Sequence, residues 1–329
     1  MVAPAGAVIL SPLARRRFCL AALTLAAGAS AAPGAECVAP AKAGGGFDVT
    51  CRLAQALLAE QRPLGLSYLP GGIGAVAYTT SIKERPAQAN TLIAFSSGSL
   101  LNLAQGKFGP HTEADVRWLA VIGTDHGVVA VRQDSPYRTL ADLMQALRSN
   151  PRSVSFAAGG TLGSQDWFKA ALLARAAGVS HKAIRFVAFE GGGDALNALQ
   201  GGHVGVFTGD AAEVHQFAAR GGAVRLLAVL SAARLPGVLS GVPTAREQNI
   251  DLVWPTARGL YLGPKVPEAA YREWADLLRK AMERPAYREQ VQAQGLYPMS
   301  LTGAELEAFV RDSMARYRRL AAEFELPRR

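Results

Sequence analysis

One unit recurs along this chain and limits what it can fold into: a short apolar run, a loop of glycines and small polar residues, then a stretch with helical spacing. Leu66–Leu69 runs into Pro70-Gly71-Gly72-Ile73-Gly74, Thr91–Phe95 into Ser96-Ser97-Gly98-Ser99, and Val154–Ala157 into Gly159-Gly160-Thr161-Leu162-Gly163-Ser164. Phe186–Phe189 runs into Gly191-Gly192-Gly193-Asp194, and Val204–Phe207 into Thr208-Gly209-Asp210. Trp118–Ile122, Val128–Val131 and Val224–Leu230 read as three further strands. Strands alternating with helices predict an α/β protein. Small residues at the strand ends mark where open α/β sheets form a ligand crevice.

The first such loop carries the clearest chemistry. Pro40-Ala-Lys42-Ala-Gly44-Gly45-Gly46-Phe47-Asp48 follows a short apolar run and precedes a helix expected from near Val49, with Asp48 placed to cap it. Three successive glycines leave backbone N–H groups uncovered by side chains. At a helix N-terminus those groups and the helix dipole together favour an anion. The stretch therefore predicts capture of a small carboxylate.

The first 35 residues read as a secretory signal: Arg15, Arg16 and Arg17, then the apolar run Phe18–Ala27, then small residues around Ala29-Ser30-Ala31 or Ala32-Pro33-Gly34-Ala35. Export to the periplasm is expected. The leader holds three of the 35 basic residues and none of the 26 acidic ones, so the mature charge is 32 − 26 = +6. That excess is scattered, without the aromatic-interleaved basic stripe of a nucleic-acid binder. Cys37 and Cys51 flank the glycine loop and are expected to form a disulfide in an oxidising compartment; two buried thiols are the alternative. Thr139-Leu-Ala-Asp142 and Thr302-Gly-Ala-Glu305 have capping-box form. Leu306, Phe309, Val310, Tyr317 and Leu320 recur at helical spacing and are expected to face the first half of the fold.

Turnover chemistry has little support. There is no Gly-x-Ser-x-Gly elbow and no Walker-type loop, and His111, His126, His181, His203 and His215 lack metal-ligand spacing. Gly72-Ile-Gly74-Ala-Val-Ala77 imitates a dinucleotide loop, but the following strand Thr91–Phe95 ends without a ribose-binding acid. No cofactor or metal is expected.

Glu36-Cys-Val-Ala-Pro-Ala-Lys-Ala-Gly-Gly-Gly-Phe-Asp48, Tyr68-Leu-Pro-Gly-Gly-Ile-Gly-Ala-Val-Ala-Tyr78, Gly163-Ser-Gln-Asp-Trp167, Phe189-Glu-Gly-Gly-Gly193, the run Phe95–Phe108 and Leu252-Val-Trp-Pro255 together resemble the extracytoplasmic solute receptors of tripartite tricarboxylate transporters, most of all the citrate-binding type. The resemblance covers essentially the whole mature chain. It implies a two-lobed periplasmic-binding-protein-like fold, with lobe one formed by 36–131 plus 256–329 and lobe two by 132–255. It also implies a monomer that closes around a citrate-like carboxylate and presents it to integral-membrane permease subunits. By the same resemblance the ligand meets Gly44, Gly45, Gly46, Phe47 and Asp48 on one side and Thr161, Gly163, Ser164 and Gln165 on the other. Ser96, Ser97, Gly192 and Asp210 match further cleft positions. Lys42 and Arg258 depart from the family pattern, where proline and an aromatic are common, and are expected to add countercharge for a tricarboxylate. Glu190, where many members have a base, is expected to pair with one of these cations. A sensor subunit signalling to a membrane kinase, or a periplasmic enzyme acting on a carboxylate, are the competing readings.

Overall fold

A computed structural model describes residues 34–326, so the leader read over 1–35 lies almost wholly outside the described residues. The strands are β1 (Glu36–Ala39), β2 (Gly65–Tyr68), β3 (Thr91–Ser96), β4 (Arg117–Arg132), β5 (Ser155–Gly159), β6 (Arg185–Phe189), β7 (Val206–Phe207), β8 (Val224–Leu230) and β9 (Pro255–Leu262). The helices are α1 (Gly46–Leu58), α2 (Ala75–Lys83), α3 (Ser97–Ala104), α4 (Leu140–Ser149), α5 (Gln165–Ala176), α6 (Gly192–Gln200), α7 (Ala211–Ala219), α8 (Glu268–Glu283), α9 (Tyr287–Ala293) and α10 (Gly303–Glu323).

The apolar runs pair in the order β2-β1-β3-β9-β4-β7-β5-β6, with β8 also on β4. β1 lies parallel to β2 and β3, and β5 parallel to β6 and β7, as strand–helix–strand crossovers require. The antiparallel strands β4 and β9 join the two halves. β4 pairs with β9 through His126↔Pro255 and with β8 from Gly127↔Leu230 onward. This gives the expected two-lobed α/β fold, and the carboxyl ends of the parallel strands face the junction.

Trp118–Ile122 and Val128–Val131, read as two strands, are one strand of 16 residues. The intervening Gly-Thr-Asp-His-Gly has turn composition, but tertiary partners hold it extended. Thr124 exchanges backbone hydrogen bonds with Tyr297, and Asp125 stands opposite Thr256. Pairing partners outside the segment override its local preference.

α1 begins at Gly46, three residues before the expected start, with Gly45 as its N-cap. Asp48 therefore lies inside the first turn, and its Oδ2 reaches back to accept the Gly44 N–H at 2.8 Å. The Thr139–Asp142 capping box forms as its spacing predicts. At α10 Thr302 is the N-cap, but its side chain makes no capping bond. α10 buries Leu306, Val310 and Tyr317 as expected, yet its end crosses to the second half: Phe324 packs edge-on against Trp167 and Phe168 of α5.

Cys37 and Cys51 are joined in a disulfide, both fully buried in the core that α1 forms against β1, β3 and β9. It ties the strand before the glycine loop to the helix after it. Among the described residues no helix is long and apolar enough to cross a membrane.

Candidate ligand-binding cleft

The strand–loop–helix units deliver their helix N-termini to one place. Gly45 and Gly46 of α1, Ser96 and Gly98 at the start of α3, Ser164 and Gln165 of α5, Gly191 and Gly192 of α6, and Glu213 in the first turn of α7 all line a single cleft, with Arg258 of β9 as a further wall. Each N-terminus adds partial positive charge. The cavity is small, about 50 Å³, enough for a few waters.

Of the residues expected to meet ligand, the fold gathers Gly45, Gly46, Phe47, Ser96, Ser164, Gln165, Gly192 and Arg258 around this cavity. The others stand elsewhere. Asp48 is buried on the far side of the glycine loop, where it accepts from Gly44 N–H, Arg52 Nε at 3.0 Å and the Tyr68 hydroxyl at 2.9 Å. Gly44 turns its bare face to Arg220, and Ser97 Oγ accepts the Ala257 N–H at 2.9 Å. Thr161 lines a separate crevice beside the cleft, and the Gly163 carbonyl accepts from Gln105 Nε2. Lys42 is exposed and pairs with Asp194 at 3.2 Å. Asp210 lies beneath the cleft floor.

That floor is a buried charge cluster which sequence reading missed. Lys169, fully buried, donates to Asp166 Oδ1 at 2.8 Å, the Gly209 carbonyl at 2.7 Å and Asp210 Oδ1 at 2.5 Å. Arg258 Nη2 donates to Asp125 Oδ2 at 2.6 Å and Asp210 Oδ2 at 2.8 Å. Gln165 Nε2 also donates to Asp210 Oδ2, at 2.8 Å. Glu213 Oε1 accepts the Gly46 N–H at 3.0 Å, and Oε2 accepts the Asp210 N–H at 3.2 Å. Glu190 also lines the cleft, but it makes no ion pair among the described residues.

The cluster splits its acids by environment. Burial favours the neutral form of Asp210, but Lys169 and Arg258 outweigh it and hold this carboxyl below its usual range. Burial raises Asp166 to about 6 against the pull of Lys169, and raises Asp125 against that of Arg258. Glu213 is pushed up to about 8 by burial first, then by Asp166 and Asp210. Burial works against the charges of Lys169 and Arg258, yet their carboxylate partners prevail and keep both cationic.

Two glycines are required here by close approach. A Cβ on Gly46 would lie 2.0 Å from Arg258 Nη1, and one on Gly192 would lie 2.3 Å from Glu213 Cδ. The bare faces read from sequence as room for ligand are thus covered in part by the protein's own Arg and Glu. Asp210-x-x-Glu213 has capping-box spacing, the one sequence signal that could have placed Glu213 at a helix start.

Two lobes, a cleft between them and helix N-termini aimed into it define a solute-binding protein of the periplasmic type. A family model described as the tripartite tricarboxylate transporter family receptor, TctC, matches residues 67–326. The chain belongs to that family, whose members are extracytoplasmic solute receptors. A UPF0065 protein of Bordetella pertussis is 24% identical over 288 residues, covering 85% of each chain. Among solved structures, MatC from Rhodopseudomonas palustris with bound malate is similar at a TM-score of 0.74 and 22% identity, covering 87% of this chain and 98% of its own. An R. palustris protein with adipate reaches a TM-score of 0.80 at 21% identity, covering 89% and 98%. These two likenesses show the fold.

Proposed function

We propose that this protein is a periplasmic receptor that captures a small organic acid and presents it to the integral-membrane permease subunits of a tripartite transporter, acting as a monomer after its leader is removed. The observation that carries this reading is the convergence of the α1, α3, α5, α6 and α7 N-termini on one cleft beside Arg258. Oriented amides favour carboxylate without needing a free cation. A cavity of about 50 Å³ requires the walls to part before an organic acid enters. The lobes hinge where β4 exchanges β9 for β8, between His126 and Gly127.

Within the carboxylate class, the case for citrate rested on Lys42 and Arg258 as spare cations. Lys42 is committed to Asp194 outside the cavity, and Arg258 Nη2 to two aspartates. Asp166 and Glu190 also line the cavity, and Glu213, raised to about 8, supplies no countercharge. That charge balance suits an acid with one or two carboxylates better than a tricarboxylate. The solved relatives hold malate and adipate, which have two. Calorimetry of the mature protein with malate, adipate, benzoate and citrate tests the reading. Binding of a mono- or dicarboxylate with citrate weaker is expected. Citrate as the tightest ligand would reverse the charge argument, and no carboxylate binding at all would reject the class.

A further inference from the structure

We propose that Glu213 is an internal stand-in for the ligand carboxylate: in the ligand-free closed form its carboxyl group fills the anion seat between the lobes, and an incoming carboxylate must replace it there. The inference rests on the carboxylate reading of the cleft and deepens it.

The seat is built. Glu213 Oε1 accepts from Gly46, the first residue of α1 in one lobe, while Oε2 accepts from Asp210 at the start of α7 in the other. The group also lies against the first residue of α6, since a Cβ on Gly192 would fall within 2.5 Å of both its oxygens. Gly209 makes room as well, with Oε2 only 2.7 Å from where its Cβ would be. The same planar group thus touches the N-terminal ends of three helices from both lobes, which is the contact pattern expected of a bound carboxylate. Independent polar groups around the cavity still lack partners. Arg258, 2% exposed, has an unpartnered Nε, and Asn102, 4% exposed, has an unpartnered Oδ1. Both residues line the cavity. One side chain therefore fills the seat without satisfying the cleft, and a ligand with more polar atoms has a reason to displace it.

The surrogate is weaker than a ligand because it is tethered in a crowd of charge. Asp210 at the start of its own helix, Asp166 and Lys169 from α5 and Arg258 from β9 all act on it, Asp125 from β4 pairs with that Arg258, and Glu190 lines the same cavity. Asp166 and Asp210 oppose its ionised form, whereas Arg258 and Lys169 favour it. Its carboxyl, raised to about 8, takes up a proton as the cleft closes in neutral solution. Closure without ligand therefore weakens as the pH rises from about 4.5 to about 8 and is weakest above it.

Small-angle scattering of the mature, ligand-free protein, joined with amide exchange at Gly46, tests the assignment. Wild type is expected compact at pH 6 and expanded at pH 9. Glu213→Ala is expected to be expanded at both, with Gly46 N–H exchanging roughly tenfold faster, as loss of one hydrogen bond's stabilisation implies. Glu213→Gln, which keeps an acceptor and does not titrate, is expected compact at both. A Glu213→Ala protein as compact as wild type with unchanged Gly46 protection overturns the proposal. If the alanine variant does not fold, a glutamine variant that expands at pH 9 as wild type does overturns it equally. Malate and adipate, added last, are expected to compact the alanine variant. Failure of both to act on any variant counts against the carboxylate reading, while the ligand-free scattering still decides the role of Glu213.

Discussion

Replacing Lys169 with methionine isolates the cluster beneath the cleft. The substitution keeps the length of an apolar stem that packs on Gly127, where a Cβ would lie 2.9 Å from Lys169 Cδ. It removes a cation whose contacts run to Asp166, Asp210 and the Gly209 carbonyl, all at 2.8 Å or less. Removing one partner of a buried ion pair costs about 3–5 kcal/mol, because the remaining charge is left uncompensated. With an unfolding entropy near 2.1 cal/mol/K per residue over roughly 290 residues, about 0.6 kcal/mol/K, that corresponds to a fall in Tm of roughly 5–8 °C. The sign with pH follows from linkage. Without Lys169 the folded-state pKa values of Asp166 and Asp210 rise further above or toward those of the unfolded chain, so the folded variant holds protons that wild type has lost. The deficit is therefore largest near pH 8 and shrinks as the solution is acidified toward the unfolded value of 3.8. Adding Asp166→Asn should restore part of the loss, since one uncompensated carboxylate goes with it. Calorimetric melts at pH 5 and pH 8 provide the measurement. A Lys169→Met protein melting within about 1 °C of wild type at both pH values would refute the reasoning.

Four further outcomes follow from the structure. The Cys37–Cys51 bridge has a sequence separation of 14, so replacing both cysteines by alanine should cost about 3 kcal/mol in the chain-entropy account, read as a lower denaturant midpoint with little change in m. Gly46→Ala, whose Cβ would meet Arg258 Nη1 at 2.0 Å while two aspartates hold that guanidinium, should cost about 1–3 kcal/mol by overpacking. Gly45→Ala, whose nearest neighbour would be 3.7 Å away, should be close to silent in the same melts. Glu213→Gln removes a carboxyl whose folded pKa is raised to about 8 from 4.5. Wild type should therefore lose stability relative to the variant as pH rises across that window, with the gap complete above about 8 and closed below about 4.5. Denaturation midpoints that track each other from pH 4 to 9 would contradict it.

What the sequence settled by itself was local. Apolar runs followed by glycine loops and helical spacing fixed the α/β class, because strand and helix periodicities and their start signals act over a few residues. The Thr139–Asp142 box formed for that reason, and the cysteines either side of the first glycine loop met because the chain between them is short. The tertiary structure decided what no neighbourhood could. It carried β4 straight through a turn-like Gly-Thr-Asp-His-Gly by pairing it with β9 and with Tyr297. It also chose who occupies the bare amides: Gly46 meets Glu213 from 167 residues away, and Arg258 meets Asp125 from 133. A glycine announces that its backbone leaves room for a close neighbour. Only the folding together of distant segments determines whether that neighbour is a ligand or one of the protein's own side chains.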